Sequence, residues 1–306
     1  MTPQITISDF GDVTVPPLDL PRGMISPSER RFLYDLARNR HHGQGALVEI
    51  GTWLGCSTMH LAAGLRDAGR GDRVHSYDDY VWRRGMATKS DQGLAEGDSF
   101  FPRFLANVAS LADHIHPSRA SAADLGWPGG AIETLVVDAP KSWRGVRGVF
   151  KQLAPHFIPG VTRIAFQDYL HFPSYEIALY LGSVDSLEPA AVVLNGSTVM
   201  FTLARPVDPA QTAGGFSYAG LSADQVNALW QRILAPLPPP ARALMAPAHP
   251  MTLWQLGHHA AAESLLAQTD IPPDVAAFVL RKTGGKDEAH FAWLRQAILS
   301  RQPVKG

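Results

Sequence analysis

Residues 47–61 constrain the fold of this chain more than any other stretch. An apolar run over residues 47–50 ends at Gly51. A second glycine follows at Gly55, and a helical pattern begins near Ser57. The order of strand, tight turn and helix predicts the first βα unit of an open α/β sheet. Glycines let such a turn approach a ligand closely, and the following helix offers free N–H groups. An ordinary turn without a ligand is the alternative that this stretch alone leaves open.

The spacing of the two glycines separates two classes of ligand. A dinucleotide fingerprint reads Gly-x-Gly-x-x-Gly, and its middle glycine admits the pyrophosphate. This chain reads Glu-x-Gly-x-x-x-Gly-x-Ser, with the carboxylate of Glu49 before the turn. A carboxylate there repels a phosphate and suits a cationic amino acid. The pattern therefore disfavours NAD and favours S-adenosylmethionine (SAM).

The same stretch resembles motif I of class I SAM-dependent methyltransferases. In detail it is most similar to the macrocin O-methyltransferase-like small-molecule enzymes, in which Val-Glu-Ile-Gly-Thr-x-x-Gly-x-Ser-Thr recurs. The resemblance covers roughly residues 23–204. It implies an α/β fold with a doubly wound, mostly parallel, seven-stranded Rossmann-like sheet. The SAM contacts expected in the turn are Glu49, Gly51, Gly55 and Ser57.

Two later segments complete the expected cofactor site. Asp78 ends a predicted strand over residues 73–78, and an acid at this place hydrogen-bonds the ribose in nucleotide-binding α/β folds. The adjacent Asp79 is a substitute for that role. In the resembling family, the loop that follows the next strand contacts the adenine, and Ser121 is the contact expected here.

A second group of polar residues follows two predicted strands further along the chain. Asp138 ends a strand over 132–138, and Gln167 and Asp168 end a strand over 163–169. Because these strands are neighbours in this fold, their side chains should meet at the carboxyl edge of the sheet. Two carboxylates and an amide oxygen suit Mg²⁺, which would hold the acceptor oxygens. In the resembling family the last pair is acidic, so Gln167 should lower the affinity for metal.

A version of the site without metal is also consistent with the sequence. His171 follows Asp168 closely, titrates in the physiological range and is a candidate general base. Asp138 would then orient the acceptor. The segment 141–143, Lys-Ser-Trp, replaces the histidine and tyrosine that are usual in the family.

Composition limits the partners and the setting of the chain. Its 306 residues carry 27 Lys and Arg against 28 Asp and Glu, whereas a nucleic-acid binder usually has a basic excess. The single cysteine, Cys56, excludes an internal disulfide and fits a reducing cytoplasm. The sequence shows neither a signal peptide nor an apolar run of the roughly 18–20 residues needed to span a bilayer. We therefore expect a cytoplasmic protein with a small-molecule acceptor, and neither nucleic acid nor membrane as a partner.

The chain is predicted to have three parts. Residues 1–22 form an irregular arm, 23–205 a SAM-binding domain, and 221–302 a helical C-terminal region. Asn195-Gly196 is a hairpin signal, and a closing antiparallel hairpin is expected at the end of this type of sheet. The helical region lies outside the resemblance and is expected to form a lid or a homo-oligomer contact.

The resemblance implies SAM-dependent O-methylation of a small hydroxylated molecule, such as a sugar or a natural product, with assistance from Mg²⁺ in one version of the site. A SAM-binding protein of the same fold with little or no catalysis, serving partner binding, is the alternative. The altered segment 141–143 and Gln167 favour that alternative. A nucleic-acid methyltransferase is disfavoured, since no Asn-Pro-Pro-Tyr motif follows the strand ending at Asp138 and no basic stripe is present.

Overall fold

The computed structural model describes residues 5–285 and 288–301. The chain divides into two compact units, the first comprising residues 1–167 and 184–214, the second 168–183 and 215–306. Residues 1–4, 286–287 and 302–306 lie outside the described residues, so the predicted arm and the predicted helical region are described only in part. The predicted boundaries of the arm, the SAM-binding domain and the helical region stay predictions.

One sheet organises the first unit. Within the described residues its strands are β1 (Thr6–Ser8), β2 (Ala46–Ile50), β3 (Val74–Asp78), β4 (Ile115–Arg119), β5 (Ile132–Val137), β6 (Arg163–Phe166), β7 (Leu187–Val193) and β8 (Val199–Leu203). Their order is β1-β7-β8-β6-β5-β2-β3-β4, and only β8 runs antiparallel to its neighbours. The predicted doubly wound, mostly parallel sheet is confirmed.

Helices flank the sheet and form the second unit. In chain order they are α1 (Pro27–Asp35), α2 (Cys56–Asp67), α3 (Phe101–Val108), α4 (Trp143–Leu153), α5 (Glu176–Ser183), α6 (Pro209–Thr212), α7 (Ala223–Leu234), α8 (Pro239–Met245), α9 (Ala248–Gln255), α10 (His259–Gln268), α11 (Pro273–Thr283) and α12 (Ala289–Ser300). Short π- and 3₁₀-helical turns occupy Leu36–Arg40, Ala109–His114, Ala154–His156 and Phe172–Ser174. Among the described residues, none of the helices has the length and apolar character required to cross a bilayer.

The strand β1 is an addition to the predicted sheet. Its residues fall in the arm that the sequence predicts to be irregular, yet they pair in parallel with β7 at the edge of the sheet. The amide of Leu194 extends this ladder by donating to the carbonyl of Ser8 at 2.8 Å. A strand of three residues shows no alternation that a sequence pattern can detect, so the sheet has eight strands where seven were predicted.

The central strands owe their position to continuous apolar runs. Every residue of β5 is buried, as parallel strands covered on both faces require. A capping box starts α1, since Ser26 Oγ accepts from the Glu29 amide and the Glu29 carboxylate accepts from the Ser26 amide. The parallel pairing of β2 with β3 and β5 places the carboxyl ends of these three strands side by side.

The predicted hairpin between β7 and β8 is present, but its loop spans residues 194–198 instead of two residues. Asn195 takes the left-handed conformation with φ of 59°. The Glu29 carboxylate accepts hydrogen bonds from two residues of this loop, the Ser197 amide at 2.9 Å and the Thr198 hydroxyl at 2.7 Å. The hairpin therefore also holds the start of α1.

The second unit is helical among its described residues. The fully buried Trp230 of α7 donates from its indole to the Thr252 hydroxyl of α9 at 3.0 Å. The helices α9 and α10 are separate because Gly257, with φ of 82°, follows the end of α9. The predicted lid or oligomer role of these helices stays a prediction.

Candidate active site

Both glycines of the turn after β2 are required by their surroundings. Gly51 has φ of +86°, and a Cβ built there would lie 2.8 Å from the Ala139 amide nitrogen. Gly55 has φ of +96°, and its Cβ would lie 2.6 Å from a methyl group of Val108. Only glycine adopts such positive φ values without strain. The turn can therefore lie directly against the residues that follow β5.

A cleft of about 400 Å³ opens at this edge of the first unit. Its lining includes the turn, the end of β3, the loop after it and the residues after β5. Among the predicted site residues of this unit, Gly51, Asp78, Ser121 and Asp138 line it. Glu49, Gly55 and Ser57 are absent from its wall, and Glu49 and Ser57 are buried. The structure thus brings the strand-end acids together as predicted and sets the buried members of motif I behind the wall.

Asp78 both faces the cleft and supports the turn. Its Oδ2 accepts hydrogen bonds from the Thr52 amide at 2.9 Å and from the Trp53 amide at 3.1 Å. Its Oδ1 accepts one from the Tyr80 amide at 2.8 Å. Burial raises the pKa of Asp78, and these three backbone bonds oppose that effect. The carboxylate is thereby fixed in place at the rim of the cleft.

Glu49 is a buried carboxyl with an unsatisfied oxygen. It is 1% exposed, and its Oε2 accepts from the Thr58 hydroxyl at 2.6 Å. Its Oε1 is buried without a hydrogen-bond partner. Burial raises the pKa of Glu49 to about 7, although the hydroxyls of Ser57 and Thr58 act to lower it. A buried acceptor of this kind is costly unless a donor or a cation completes it.

Asp79, the predicted substitute for Asp78, is engaged by Arg83. Two guanidinium nitrogens of Arg83 bind its two carboxylate oxygens. Burial acts to raise the pKa of Asp79, but the Arg83 guanidinium and the Val81 amide hold it below its ordinary value. Both residues line the cleft. The ion pair leaves Asp78 as the acid better placed for a ribose.

The segment 80–100 combines buried aromatic residues with an exposed polar part. Tyr80, Trp82 and Phe100 are buried, and the Tyr80 ring lies 5.4 Å from the Phe100 ring and 5.1 Å from that of Phe104. The aromatic residues anchor the segment to the first unit. Its exposed part contributes two residues that the sequence analysis missed at the cleft, Arg83 and Met86. The many aromatic residues in and just after this segment are the sequence feature from which its burial could have been predicted.

Asp138 and Gln167 stand at the ends of adjacent strands in the first unit. Asp138 lines the cleft, and Lys141 Nζ lies 3.4 Å from its Oδ1. Gln167 is 3% exposed, and neither its amide nitrogen nor its amide oxygen has a hydrogen-bond partner in the described part of the chain. Two unsatisfied atoms on one buried side chain are costly unless a water or a ligand completes their hydrogen bonds.

The remaining two predicted site residues belong to the second unit. Asp168 takes a left-handed conformation with φ of 57°. His171 precedes the 3₁₀ turn Phe172–Ser174, and its Nδ1 lies 3.1 Å from Ser174 Oγ. No group of three or more His, Cys, Asp or Glu side chains suited to a metal ion occurs within residues 5–285 and 288–301. The predicted magnesium site is therefore not confirmed.

Comparison with known proteins finds a family model that matches residues 48–194. The family model described as "Methyltransferase domain", Methyltransf_24, matches residues 48–194. No curated protein matches the chain. Among solved structures, the O-methyltransferase NovP is 17% identical, covers 58% of this chain and 78% of its own, and has a TM-score of 0.45. Cofactor-bound Rv0187 from MTB is 19% identical, with coverage of 61% and 84% and a TM-score of 0.42.

A third similar structure, CalS11, is a TDP-rhamnose 3'-O-methyltransferase of calicheamicin biosynthesis. It is 13% identical, with coverage of 57% and 77% and a TM-score of 0.41. Structural likenesses this distant carry no conclusion about substrates. The family match spans the whole stretch from the glycine turn to the start of the β7–β8 hairpin. Residues 48–194 of this chain therefore match a methyltransferase domain.

Proposed function

We propose that this protein is an O-methyltransferase that transfers the methyl group of SAM to a small hydroxylated molecule, such as a sugar or a natural product. The observation that carries the proposal is the cleft of about 400 Å³ with Asp78 and Asp138 on its wall. A volume of this order suits a small-molecule site. Its place at the carboxyl ends of parallel strands is where open α/β sheets bind ligands.

The residues present fit SAM. The unsatisfied Oε1 of Glu49 suits the ammonium group, and Asp78 at the rim suits the ribose hydroxyls. Ser121, on the loop after β4, suits the adenine as the resemblance implies. SAM supplies an electrophilic methyl group for an in-line displacement. The chain itself has to hold the acceptor oxygen in line and accept its proton.

Two versions of that proton transfer remain distinct. In the first, Asp138, Gln167 and Asp168 would hold Mg²⁺, and the ion would supply a Lewis acid that lowers the pKa of the acceptor hydroxyl. The two unsatisfied amide atoms of Gln167 support this version. In the second, Asp138 orients the acceptor and His171 takes the proton as general base. Both versions share Asp138 at the cleft.

A SAM-binding protein with little or no catalysis, serving partner binding, is the second candidate function. It is favoured by Lys141, which stands where the family has a histidine and lies 3.4 Å from Asp138 Oδ1. An ammonium group there neutralises the carboxylate that would act on the acceptor. A panel of hydroxylated acceptors separates the two candidates, because only the enzyme releases S-adenosylhomocysteine from SAM.

Calorimetric titration with S-adenosylhomocysteine tests the shared cofactor site. We expect the wild-type protein to bind it and Asp78→Asn to bind it roughly ten- to a hundredfold more weakly, since a hydrogen bond to a charged group contributes about 1.5–3 kcal/mol. Asp113→Asn, at an exposed acid, is the matched control. Wild-type protein that gives no heat of binding would refute the proposal. Activity that EDTA removes and Mg²⁺ restores would select the metal version over the His171 version.

A further inference from the structure

Arg30 lies beside the glycine turn, although no sequence motif points to it. Its Nη2 is 3.8 Å from the position that a Cβ of Gly23 would take. The same Cβ would lie 2.5 Å from the sulfur of Cys56, the first residue of α2. Gly23 therefore lies directly against the start of α2, and the Arg30 guanidinium lies beside this contact. Met24, the next residue, lines the cleft.

The Arg30 guanidinium lacks the partner that a shielded cation needs. Its Nε is buried without a hydrogen-bond acceptor. In the described part of the chain no carboxylate lies within ion-pair distance of Arg30. The charged residues on either side of Arg30 in the sequence do have partners. The Glu29 carboxylate accepts from the Ser197 amide of the hairpin loop, and Arg31 donates to the Asp9 carbonyl at 3.2 Å. Shielding a charge without pairing it is costly, so an anion is the expected partner.

The position of α1 makes this arrangement rigid. The Glu29 carboxylate is buried and accepts hydrogen bonds from Ser26, Ser197 and Thr198. Arg30 follows it directly on the helix, so these contacts hold its backbone in place. The guanidinium thereby stays beside Gly23, next to Met24, which lines the cleft.

Two opposite charges act on Cys56, at the start of α2. Burial raises the pKa of the Cys56 thiol, the Arg30 guanidinium lowers it, and Glu49 raises it. Arg30 and Glu49 therefore both lie within electrostatic reach of this residue without forming an ion pair with each other. The first turn of α2 adds free N–H groups and the positive end of its dipole. A cation and a carboxyl set apart in this way match the two charges of an amino acid zwitterion.

We propose that Arg30 binds the α-carboxylate of the methionine portion of SAM, with Glu49 facing the α-ammonium group. The inference rests on the proposed binding of SAM and adds a residue to it. It explains why neither the Arg30 Nε nor the Glu49 Oε1 has a hydrogen-bond partner among residues 5–285 and 288–301. Arg30 is a binding residue, and it takes no part in proton transfer.

Two ligands separate this role from general support of the cleft. S-adenosylhomocysteine carries the amino acid portion, whereas 5′-methylthioadenosine lacks both the carboxylate and the ammonium group. We expect Arg30→Gln to weaken S-adenosylhomocysteine roughly ten- to a hundredfold, the effect of losing a charge-assisted hydrogen bond. Its affinity for 5′-methylthioadenosine should stay within twofold of wild type. Arg30→Lys should recover part of the loss, because it keeps the charge but not the planar fork.

Arg31→Gln is the matched control on the same helix and should bind both ligands like wild type. Binding of 5′-methylthioadenosine also shows that a variant has kept its fold. Equal weakening of both ligands by Arg30→Gln, or unchanged binding of S-adenosylhomocysteine, overturns the role of Arg30. Wild-type protein that binds neither ligand overturns the proposed function itself, so the two failures are distinguishable.

Discussion

At the scale of single residues, the structure adds most to the interpretation of Glu49, because it shows the burial of the carboxyl group. Its position before Gly51 predicts that it disfavours a phosphate, but the sequence cannot show how deeply it is buried. Burial raises its pKa to about 7, and its Oε1 has no partner. The group therefore changes charge close to neutral pH, and a cation that binds beside it requires the ionised form.

Binding of SAM should become tighter as the pH rises through about 7, because ionised Glu49 is the form that attracts an ammonium group. Below that pKa we expect the affinity to fall by up to about tenfold per pH unit. Titration calorimetry at pH 6, 7 and 8 measures the trend. Glu49→Gln should be weaker at pH 8 and nearly flat across the range. A wild-type affinity that is independent of pH would contradict the role of Glu49.

The same shift has a consequence for stability without ligand. The pKa of Glu49 is higher in the folded protein, about 7, than the ordinary 4.5, so the folded state holds the proton more tightly. This group therefore destabilises the fold progressively from about pH 4.5 to 7, by roughly 3 kcal/mol at most. In urea unfolding at pH 5 and pH 8, Glu49→Gln should lose less stability on going to pH 8 than wild type.

At the scale of elements, buried parallel strands were predictable and edge pairings were not. The sequence predicts β2 and β5 because each is a continuous apolar run that is followed by an acid or a glycine. By contrast, β1 forms only because β7 offers it an unpaired edge, which is a property of the folded sheet. The wide loop 194–198 depends in the same way on Glu29, a residue distant in sequence.

The contact between α1 and the hairpin loop is expected to stabilise the first unit. Glu29→Ala removes the buried carboxylate that accepts from the Ser197 amide and from the Thr198 hydroxyl. We expect a loss of roughly 2–3 kcal/mol in the free energy of unfolding. Glu188→Ala, at an exposed acid of β7, is the control and should change little. Equal urea midpoints for Glu29→Ala and wild type would show that the contact does not matter.

At the scale of the whole molecule, part of the site followed from topology and part did not. Gly51, Asp78 and Asp138 were predictable, because the carboxyl ends of neighbouring parallel strands meet at one edge. Arg83 and Met24 were not, since loops reach the cleft by packing that leaves no periodic pattern. The expected metal ligands are divided between the two units, so their meeting stays a prediction that only a bound ion can test.

The near balance of charge also belongs to the whole chain. With 27 basic and 28 acidic residues, the net charge is −1 at pH 7, and the 12 histidines make it positive on acidification. We expect solubility to be lowest near pH 7 and to rise at pH 6 and pH 8.5. Arg103→Glu with Lys151→Glu, at two exposed positions, should move the minimum to lower pH. Saturation concentrations in polyethylene glycol measure it, and a minimum that does not move would contradict the argument.

Asp78 lines the cleft and also holds the backbone of the turn, and these two roles limit how the cleft can evolve. Some nucleotide-binding α/β proteins change their preference to a phosphorylated ribose by replacing the strand-end acid and recruiting an arginine. Here the same carboxylate that faces the cleft also holds the amides of Thr52 and Trp53. Replacing it would release the turn before any new ligand could bind. Proteins that evolve from this chain can therefore change their acceptor through substitutions in the loops. A change in the nucleoside that they recognise would also require a change in the backbone of the turn.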